Sequence, residues 1–222
     1  MRTTAPPDRC IVPRRDGTSV NTRELREKYR HFARWYDLAE ALPEALGLRR
    51  LRRRTLAQVR GNVLEVAAGT GKNFRSYPPS LTVIAVDLSA DMLHLARRRA
   101  APLHRDYHFA LMDAAELAFP DRVFDTVVST LSTCTFPDPV RALREMSRVC
   151  RRDGRILLVE HGRSNREWLA RRQDRGAEAH ARRFGCQWNR EPLGLVHQAG
   201  LVIVHAERRF AGIFHTIEAC PA

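Results

Sequence analysis

The stretch VLEVAAGTGKNF, residues 63–74, joins a short apolar segment to a turn of small residues. The apolar segment predicts a buried strand. The five positions 67–71 carry almost no side-chain volume, so a ligand could come within van der Waals distance of the backbone there. Small turns also arise for packing alone. The meaning of this one depends on its neighbours and on the lone acid in the strand, Glu65.

Short apolar strands alternate with helical patterns along the rest of the chain. The predicted strands are 62–67, 81–88, 107–112, 124–131, 155–161, 201–210 and 212–221, and the predicted helices are 89–101, 138–152, 165–183 and 191–200. Ser89 is the expected N-cap of the first of these helices, and Asp153-Gly154 is the expected end of the second. The alternation predicts an α/β fold with a doubly wound, mostly parallel, seven-stranded sheet.

The last two predicted strands are separated only by Ala211 and Gly212. So short a connection allows a hairpin but not a parallel crossover. The final strand should therefore lie antiparallel in a sheet whose other strands are parallel.

The length and the charge of the chain limit its organisation and its partners. The 222 residues suit one domain, and the net charge of +13 favours acidic partners such as anionic lipid or nucleic acid. We expect a flexible tail over residues 1–20 and a single domain over 21–222. Within that domain, 21–60 should form a helical lid and 61–222 the core that binds a ligand.

The five cysteines are scattered, odd in number and without a CxxC pair. This argues against a disulfide framework or a metal site and favours a reducing cytoplasm. The arginine runs 49–54 and 97–99 fall on predicted helices, where they indicate solvated faces. No nucleic-acid-binding motif accompanies them, so nucleic acid is an unlikely partner.

Acids end two successive predicted strands beside the small turn. Asp87 follows Gly69 by 18 residues, close to the roughly 20 expected of an acid that binds ribose hydroxyls. Asp113 could accept a bond from an adenine amino group, with Leu88 and Met92 as apolar walls. Each acid could instead be an ordinary helix N-cap, but the two together indicate a nucleoside site.

The turn does not match the usual phosphate-binding patterns. Dinucleotide sites need G-x-G-x-x-G, and a Walker loop needs G-x-x-x-x-G-K-[ST]. Here Gly71-Lys72 is followed by Asn73, and the first Walker glycine is absent. Glu65 would repel an anion and favour a cation or an amine. A sulfonium nucleoside with an amino-acid tail meets these requirements.

Four segments carry a resemblance to a known family: VLEVAAGTGKNF, VIAVDLSADML, MDAAELAFPDRVFDTVVSTLSTC and REMSRVCRRDGRILLVEHG. Together they resemble the class I S-adenosylmethionine-dependent methyltransferases, which have a Rossmann-like fold. The similarity is strongest over 63–162. VVSTLSTC, LVEHG and the later GCQWNRE resemble the branch of methyltransferase-like thiol methyltransferases and bacterial phospholipid N-methyltransferases.

The resemblance implies S-adenosylmethionine as cofactor and assigns residues to it. Glu65 would order the glycine turn, Asp87 would hold the ribose, and Asp113 would bond the adenine edge. The full set of implied cofactor residues is Glu65, Ala67, Gly69, Thr70, Gly71, Asn73, Asp87, Leu88, Met92, Asp113, Ala114, Thr130 and Leu131. The family usually has glycine at position 67, so Ala67 should change the turn slightly without abolishing binding.

The acceptor should bind over the ends of the fourth and fifth strands. The substrate-binding candidates are Tyr29, Ser132, Cys134, Trp188 and Asn189, and the catalytic candidates are His161, Glu160 and Tyr36. His161 is the preferred base or orienting group because it ends a strand on the ligand side. It could equally be a histidine bonded to backbone, and Cys134 could be a small buried hydrophobe.

These inferences indicate a cytoplasmic enzyme that methylates a thiol, amine or hydroxyl of an apolar secondary metabolite or lipid. The basic surface would suit a peripheral encounter with an anionic membrane. The alternative is a non-catalytic protein that keeps the fold and the cofactor as a scaffold or regulator.

Overall fold

The computed structural model describes residues 44–222, which form a seven-stranded sheet covered by helices on both faces. The strands are β1 Val63–Val66, β2 Val83–Asp87, β3 Tyr107–Leu111, β4 Phe124–Thr130, β5 Cys150–His161, β6 Val202–Arg209 and β7 Phe214–Cys220. The helices are α1 Arg49–Leu56, α2 Ala90–Ala100, α3 Pro139–Val149, α4 Glu167–Phe184 and α5 Pro192–Gln198. The predicted tail and most of the predicted lid lie outside the described residues.

The strand order, β3-β2-β1-β4-β5-β7-β6, confirms the doubly wound sheet. β1 pairs in parallel with β2 on one side and with β4 on the other. The chain adds β2 and β3 on one side of β1 and then returns to add β4 and β5 on the other side. The strand order therefore reverses between β1 and β4. Open α/β sheets bind ligands at the carboxyl ends of the strands at this position.

The reversal of the last strand is also confirmed. β7 pairs antiparallel with β5 and with β6, so it is the antiparallel strand among six parallel ones. The link from β6 to β7 spans only residues 210–213, which is too short for a crossover. β7 therefore inserts between β5 and β6.

Alternate residues of the central strands face two separate cores. Leu64 and Val66 of β1 pack in the core that contains Leu143 of α3. Val63, on the opposite face, packs with Leu56 of α1 and with α2. Because strand side chains alternate, Glu65 lies on the same face as Val63, where it is 1% exposed. The acid in the strand is thus buried between the sheet and the helices.

The predicted helix over 138–152 starts as expected but ends earlier. Asp138 caps α3 by accepting from the Arg141 amide at 2.9 Å, and the helix ends at Val149. Cys150 then turns to extended backbone and pairs with Phe124. The expected stop at Asp153-Gly154 is therefore wrong. Gly154 lies within β5, where a Cβ would stand 2.8 Å from the Cys150 sulfur, so the glycine allows a close approach instead of capping a helix.

The arginine run 49–54 is only partly a solvated face. Four of its members are exposed, but Arg52 is 4% exposed. α1 packs one side on the sheet, with Leu51 and Thr55 buried beside Arg52. The prediction of a solvated face is right for the four exposed arginines and wrong for Arg52, which the helical period turns inward.

α4, the longest of the described helices, ends in a tight turn. Gly185 follows it with a left-handed φ of 70°, and its amide bonds the Ala181 carbonyl at 2.8 Å. This conformation favours glycine and directs residues from 186 onward back toward the sheet. Within residues 44–222, no helix is both long enough and apolar enough to cross a membrane.

Candidate active site

A cleft opens at the carboxyl ends of β1, β2 and β4 and beside the segment after β3; its empty volume, counted with the open solvent at its mouth, is about 740 Å³. Nine of the residues assigned to the cofactor line it: Ala67, Gly69, Asp87, Leu88, Met92, Asp113, Ala114, Thr130 and Leu131. Ser132, from the predicted acceptor site, lines it as well. Among the described residues of this lining, the charged ones are Asp87 and Asp113, and none is basic. An acidic cleft in a chain of charge +13 favours a cationic ligand over an anionic one.

The small-residue turn has an open part and a packed part. Ala67 and Gly69 both have left-handed backbone, with φ of 55° and 57°. A Cβ built on Gly69 would meet nothing within 4 Å, so the backbone there forms an open ledge in the cleft. A Cβ on Gly71 would lie 2.4 Å from the Phe74 ring, so that glycine is required for packing.

We expect alanine to have different effects at these two glycines. Gly69→Ala should cost about 1–2 kcal/mol of stability for its left-handed backbone, yet its methyl group would occupy the ligand ledge and lower cofactor affinity. Gly71→Ala adds overpacking against Phe74, worth about 1–3 kcal/mol more. Thermal unfolding and calorimetric titration with S-adenosylhomocysteine measure the two effects. Unchanged affinity of Gly69→Ala would show that no ligand rests on the ledge.

Asp87 holds the turn and faces the cleft at the same time. Its Oδ2 accepts from the Gly69 amide at 2.8 Å, and its Oδ1 accepts from the Ser89 amide at 2.9 Å. Burial raises the pKa of Asp87 above its ordinary value, and these backbone bonds oppose the rise. Each carboxylate oxygen retains acceptor capacity beyond one bond, which two ribose hydroxyls could use.

Asp113 lies two residues after the end of β3, in a local turn. Its Oδ1 accepts from the Ala115 amide at 2.9 Å. The neighbouring amide of Met112 bonds the Asp87 carbonyl at 3.0 Å, which ties this segment to the end of β2. Asp113 therefore lies beside the apolar walls given by Leu88 and Met92, as an adenine site requires.

Glu65 does not line the cleft; it holds the turn from behind. Asn73 Nδ2 donates to its Oε1 at 2.8 Å, and the Tyr77 hydroxyl donates to its Oε2 at 2.9 Å. Burial raises the pKa of Glu65 to about 7, against the lowering effect of these bonds and of Arg52. Glu65 and Asn73 thus fix the shape of the turn without facing the ligand space.

Two arginines, the buried Arg52 and the partly buried Arg99, brace the same turn from the helices. Arg52 Nη1 donates to Asn73 Oδ1 at 3.1 Å and also to Thr130 Oγ1, which faces the cleft. Asn73 Nδ2 donates to Thr130 Oγ1 at 3.0 Å. On the other side, Arg99 of α2 donates to the Thr70 hydroxyl at 2.8 Å and to its carbonyl at 2.9 Å. The sequence reasoning missed both arginines because each lies inside a run of exposed ones.

Glu160, a catalytic candidate, is buried under the loop that follows β4. It accepts from the Ser132 amide at 3.0 Å, the Ser132 hydroxyl at 3.1 Å and the Thr133 amide at 3.2 Å. Its side chain is absent from the cleft lining, and burial raises its pKa to about 7. Glu160 thus positions Ser132, which does line the cleft, and does not itself face a ligand there.

The protonation of Glu65 and Glu160 should make stability depend on pH. Both pKa values lie near 7 in the folded protein, against 4.5 for the ordinary group. The folded state therefore binds more protons between these values. Each protonated carboxyl adds up to ~3 kcal/mol to the free energy of unfolding. This stabilisation is fully present below about pH 4.5 and is lost as the pH rises through about 7.

Denaturant unfolding over that pH range tests this expectation. Glu65→Gln should flatten the decline by the share that Glu65 contributes. Glu116→Gln, which changes an exposed acid, should leave the decline as in the wild type. An identical pH profile for the wild type and Glu65→Gln would contradict the assignment.

His161 faces two cysteines instead of the cleft. Its Nε2 lies 3.4 Å from the Cys186 sulfur, and Cys134 completes a compact group with them. The hydrogen bond from Cys134 lowers the pKa of Cys186, and the His161 and His180 imidazoles act in the same direction. No spacing pattern in the chain predicts this group, because its members are more than 20 residues apart.

The remaining acceptor candidates lie away from the described cleft or outside the described chain. Trp188 stacks on His180 with ring centroids 4.1 Å apart and donates to the Gln173 carbonyl at 2.9 Å. Asn189 donates to Asp174 at 3.1 Å. Neither lines the cleft. Tyr29 and Tyr36 lie outside the described residues.

The family model described as a methyltransferase domain matches residues 64–158. That range contains every residue that lines the cleft. The phosphatidylethanolamine N-methyltransferase of Cereibacter sphaeroides is 41% identical over 115 residues, which are 50% of this chain and 57% of the relative. The mitochondrial methyltransferase OMS1 of Saccharomyces cerevisiae is 28% identical over 222 residues, covering 91% of this chain and 45% of the relative. The chain thus spans about half the length of these curated relatives.

A solved structure shares the fold over most of the chain. The geranyl diphosphate C-methyltransferase of Streptomyces coelicolor, in complex with Mg²⁺, geranyl diphosphate and S-adenosyl-L-homocysteine, superposes with a TM-score of 0.64. Its identity is 17%, and the match covers 81% of this chain and 79% of that one. The seven-stranded order with one antiparallel strand, the cleft at the strand-order reversal and the domain match agree with one another. Residues 64–158 of this chain match the methyltransferase-domain family, and the chain has the Rossmann-like fold of the class I S-adenosylmethionine-dependent methyltransferases.

Proposed function

We propose that this protein transfers the methyl group of S-adenosylmethionine to a small amphipathic acceptor, with the amine of a phospholipid headgroup as the first choice. The observation that carries the proposal is the cleft itself. It has an open backbone ledge at Gly69, two carboxylates at Asp87 and Asp113, and no basic side chain among its described lining residues. A positively charged sulfonium nucleoside suits such a site, whereas a phosphate-rich nucleotide does not.

In this proposal different lining residues bind different parts of the cofactor. Asp87 accepts the ribose hydroxyls, and Asp113 with Ala114 bonds the adenine edge. Leu88 and Met92 flank the base, and Gly69 lies under the methionine part. A second group shapes the turn from behind without touching the ligand: Glu65, Thr70, Gly71 and Asn73.

The chemistry requires alignment more than acid–base groups. The acceptor lone pair attacks the methyl carbon in line, the carbon–sulfur bond breaks, and its electron pair leaves on sulfur as a neutral thioether. The protein has to hold the two reactants in line and exclude water. Among the described residues, Glu160 and His161 do not line the cleft. An acceptor that needs no base from them, such as a neutral amine or a thiolate, therefore fits best.

Two observations favour a lipid amine over a thiol or a hydroxyl. The relative with 41% identity is named for phosphatidylethanolamine. The net charge of +13 would bring the protein to anionic membrane surfaces, where each Lys or Arg near the surface contributes about 1 kcal/mol. The cytoplasmic location remains a prediction.

Release of S-adenosylhomocysteine tests the acceptor class. Purified protein is incubated with S-adenosylmethionine and vesicles of phosphatidylglycerol with or without phosphatidylethanolamine, and in parallel with pooled soluble thiols and phenols. We expect turnover that depends on phosphatidylethanolamine and yields a methylated headgroup. Turnover only with a soluble thiol or phenol would reject the lipid acceptor. Cofactor binding without turnover on any acceptor would support the scaffold alternative.

A further inference from the structure

A cluster of soft metal ligands lies beside the cleft. One ligand atom each from Cys134, His161 and Cys186 lie within 4.8 Å of one another. His161 Nε2 and the Cys186 sulfur are 3.4 Å apart. In a tetrahedral zinc site with bonds of about 2.0–2.3 Å, neighbouring ligand atoms are roughly 3.3–3.8 Å apart. The cluster is therefore close to the spacing that a zinc ion imposes.

The fold gathers these residues from three separate segments. Cys134 lies in the loop after β4, His161 ends β5, and Cys186 follows the left-handed Gly185 that ends α4. The Gln187 amide donates to the Cys134 carbonyl at 2.9 Å, which holds the two cysteine segments side by side. The convergence is thus built by backbone contacts and does not depend on one flexible side chain.

His180 lies near this cluster, because α4 carries it six residues before Cys186 and its imidazole lowers the pKa of the Cys186 thiol. Its ring stacks on Trp188 with an interplanar angle of 12°, and the Trp188 indole is fixed by its bond to the Gln173 carbonyl. The ring of His180 is therefore held in one orientation next to the cluster. Two cysteines and one histidine supply three zinc ligands, and a fourth position is then open to water or to His180.

We propose that Cys134, His161 and Cys186 bind one Zn²⁺ ion, with water or His180 in the fourth position, and that the ion fastens the end of α4 to the loop that forms one wall of the cleft. Two thiolates balance the charge of the ion, and the His161 imidazole binds as a neutral ligand. Cys134 lies between Ser132 and Thr135, which line the cleft, while none of the three ligands lines it. The ion would therefore hold the wall in place and take no part in methyl transfer.

Metal content of the purified, thiol-reduced protein tests this site without reference to activity. We expect one zinc per chain by elemental mass spectrometry, and loss of most of it in Cys134→Ser and in Cys186→Ser. Cys220→Ser is the matched control, because that cysteine lies on β7 and contacts the Val202 carbonyl. It should keep the full zinc content.

Cobalt provides a second readout that separates ligation from misfolding. Co²⁺ added to the metal-free wild type should give the thiolate charge-transfer and visible bands of a tetrahedral site, and His161→Ala should alter them while circular dichroism stays native. Reduced wild-type protein that binds neither zinc nor cobalt would overturn the proposal. So would full zinc content in Cys186→Ser, or intact-mass evidence that the native protein carries a Cys134–Cys186 disulfide.

Discussion

Asp87→Ala is expected to weaken the binding of S-adenosylmethionine and of S-adenosylhomocysteine by about 10- to 150-fold. Hydrogen bonds between a carboxylate and the two ribose hydroxyls are worth roughly 1.5–3 kcal/mol, and each 1.4 kcal/mol is a factor of about ten. The substitution also removes the acceptors of the Gly69 and Ser89 amides. The turn that carries the ligand ledge would then lose one of its supports.

Calorimetric titration of the folded variant measures this effect directly. Asp91→Ala is the matched control, since it removes an exposed acid of the same charge from the first turn of α2. It should bind the cofactor as the wild type does. Equal affinities for Asp87→Ala and Asp91→Ala would contradict the ribose assignment.

Arg52→Met is expected to destabilise the fold by about 3–5 kcal/mol. The substitution breaks the largely buried ion pair between Arg52 Nε and Glu44 Oε1 at 2.9 Å, and it removes the positive charge that lowers the pKa of the Glu65 carboxyl. It also removes donors to Asn73 and Thr130, so the turn and the cleft wall lose a shared brace. For a chain of this length, such a change lowers the melting temperature by roughly 6–20 °C.

The exposed neighbour in the same helix supplies the comparison. Arg53→Met should change stability little, because Arg53 is exposed. The double variant Arg52→Met/Glu65→Gln should recover part of the loss, since it also removes the buried carboxyl that faces Arg52, while the loss of the Glu44 ion pair remains. Strictly additive single effects, or equal effects of the two methionine variants, would show that Arg52 does not brace Glu65.

The features that were predictable from sequence are those set by local pattern. The Ala211-Gly212 link fixed the reversal of the last strand because two residues cannot support a crossover. Ser89 was recognisable as a cap by its position before an amphipathic segment, and the structure shows its Oγ accepting from the Met92 amide at 3.3 Å. Asp87 and Asp113 line one cleft, as expected of acids near the ends of parallel strands that meet at one edge of a sheet, and their roles toward the cofactor stay predictions.

The features that were missed depend on contacts between distant parts of the chain. The early end of α3 reflects the pairing of Cys150 with Phe124, which helical periodicity cannot show. The inward turn of Arg52 depends on where α1 packs. Glu160 and His161 are adjacent at a strand end, where side chains alternate between faces. Neither of the two side chains lines the cleft, and this becomes evident only in the folded structure.

A crystal structure of the protein with S-adenosylhomocysteine shows whether the cofactor binds in the cleft. We expect ligand density there, with both ribose hydroxyls bonded to Asp87 and the adenine between Leu88 and Met92 beside Asp113. A saturated crystal in which the cleft is empty, or in which the ligand binds elsewhere on the protein, would contradict it.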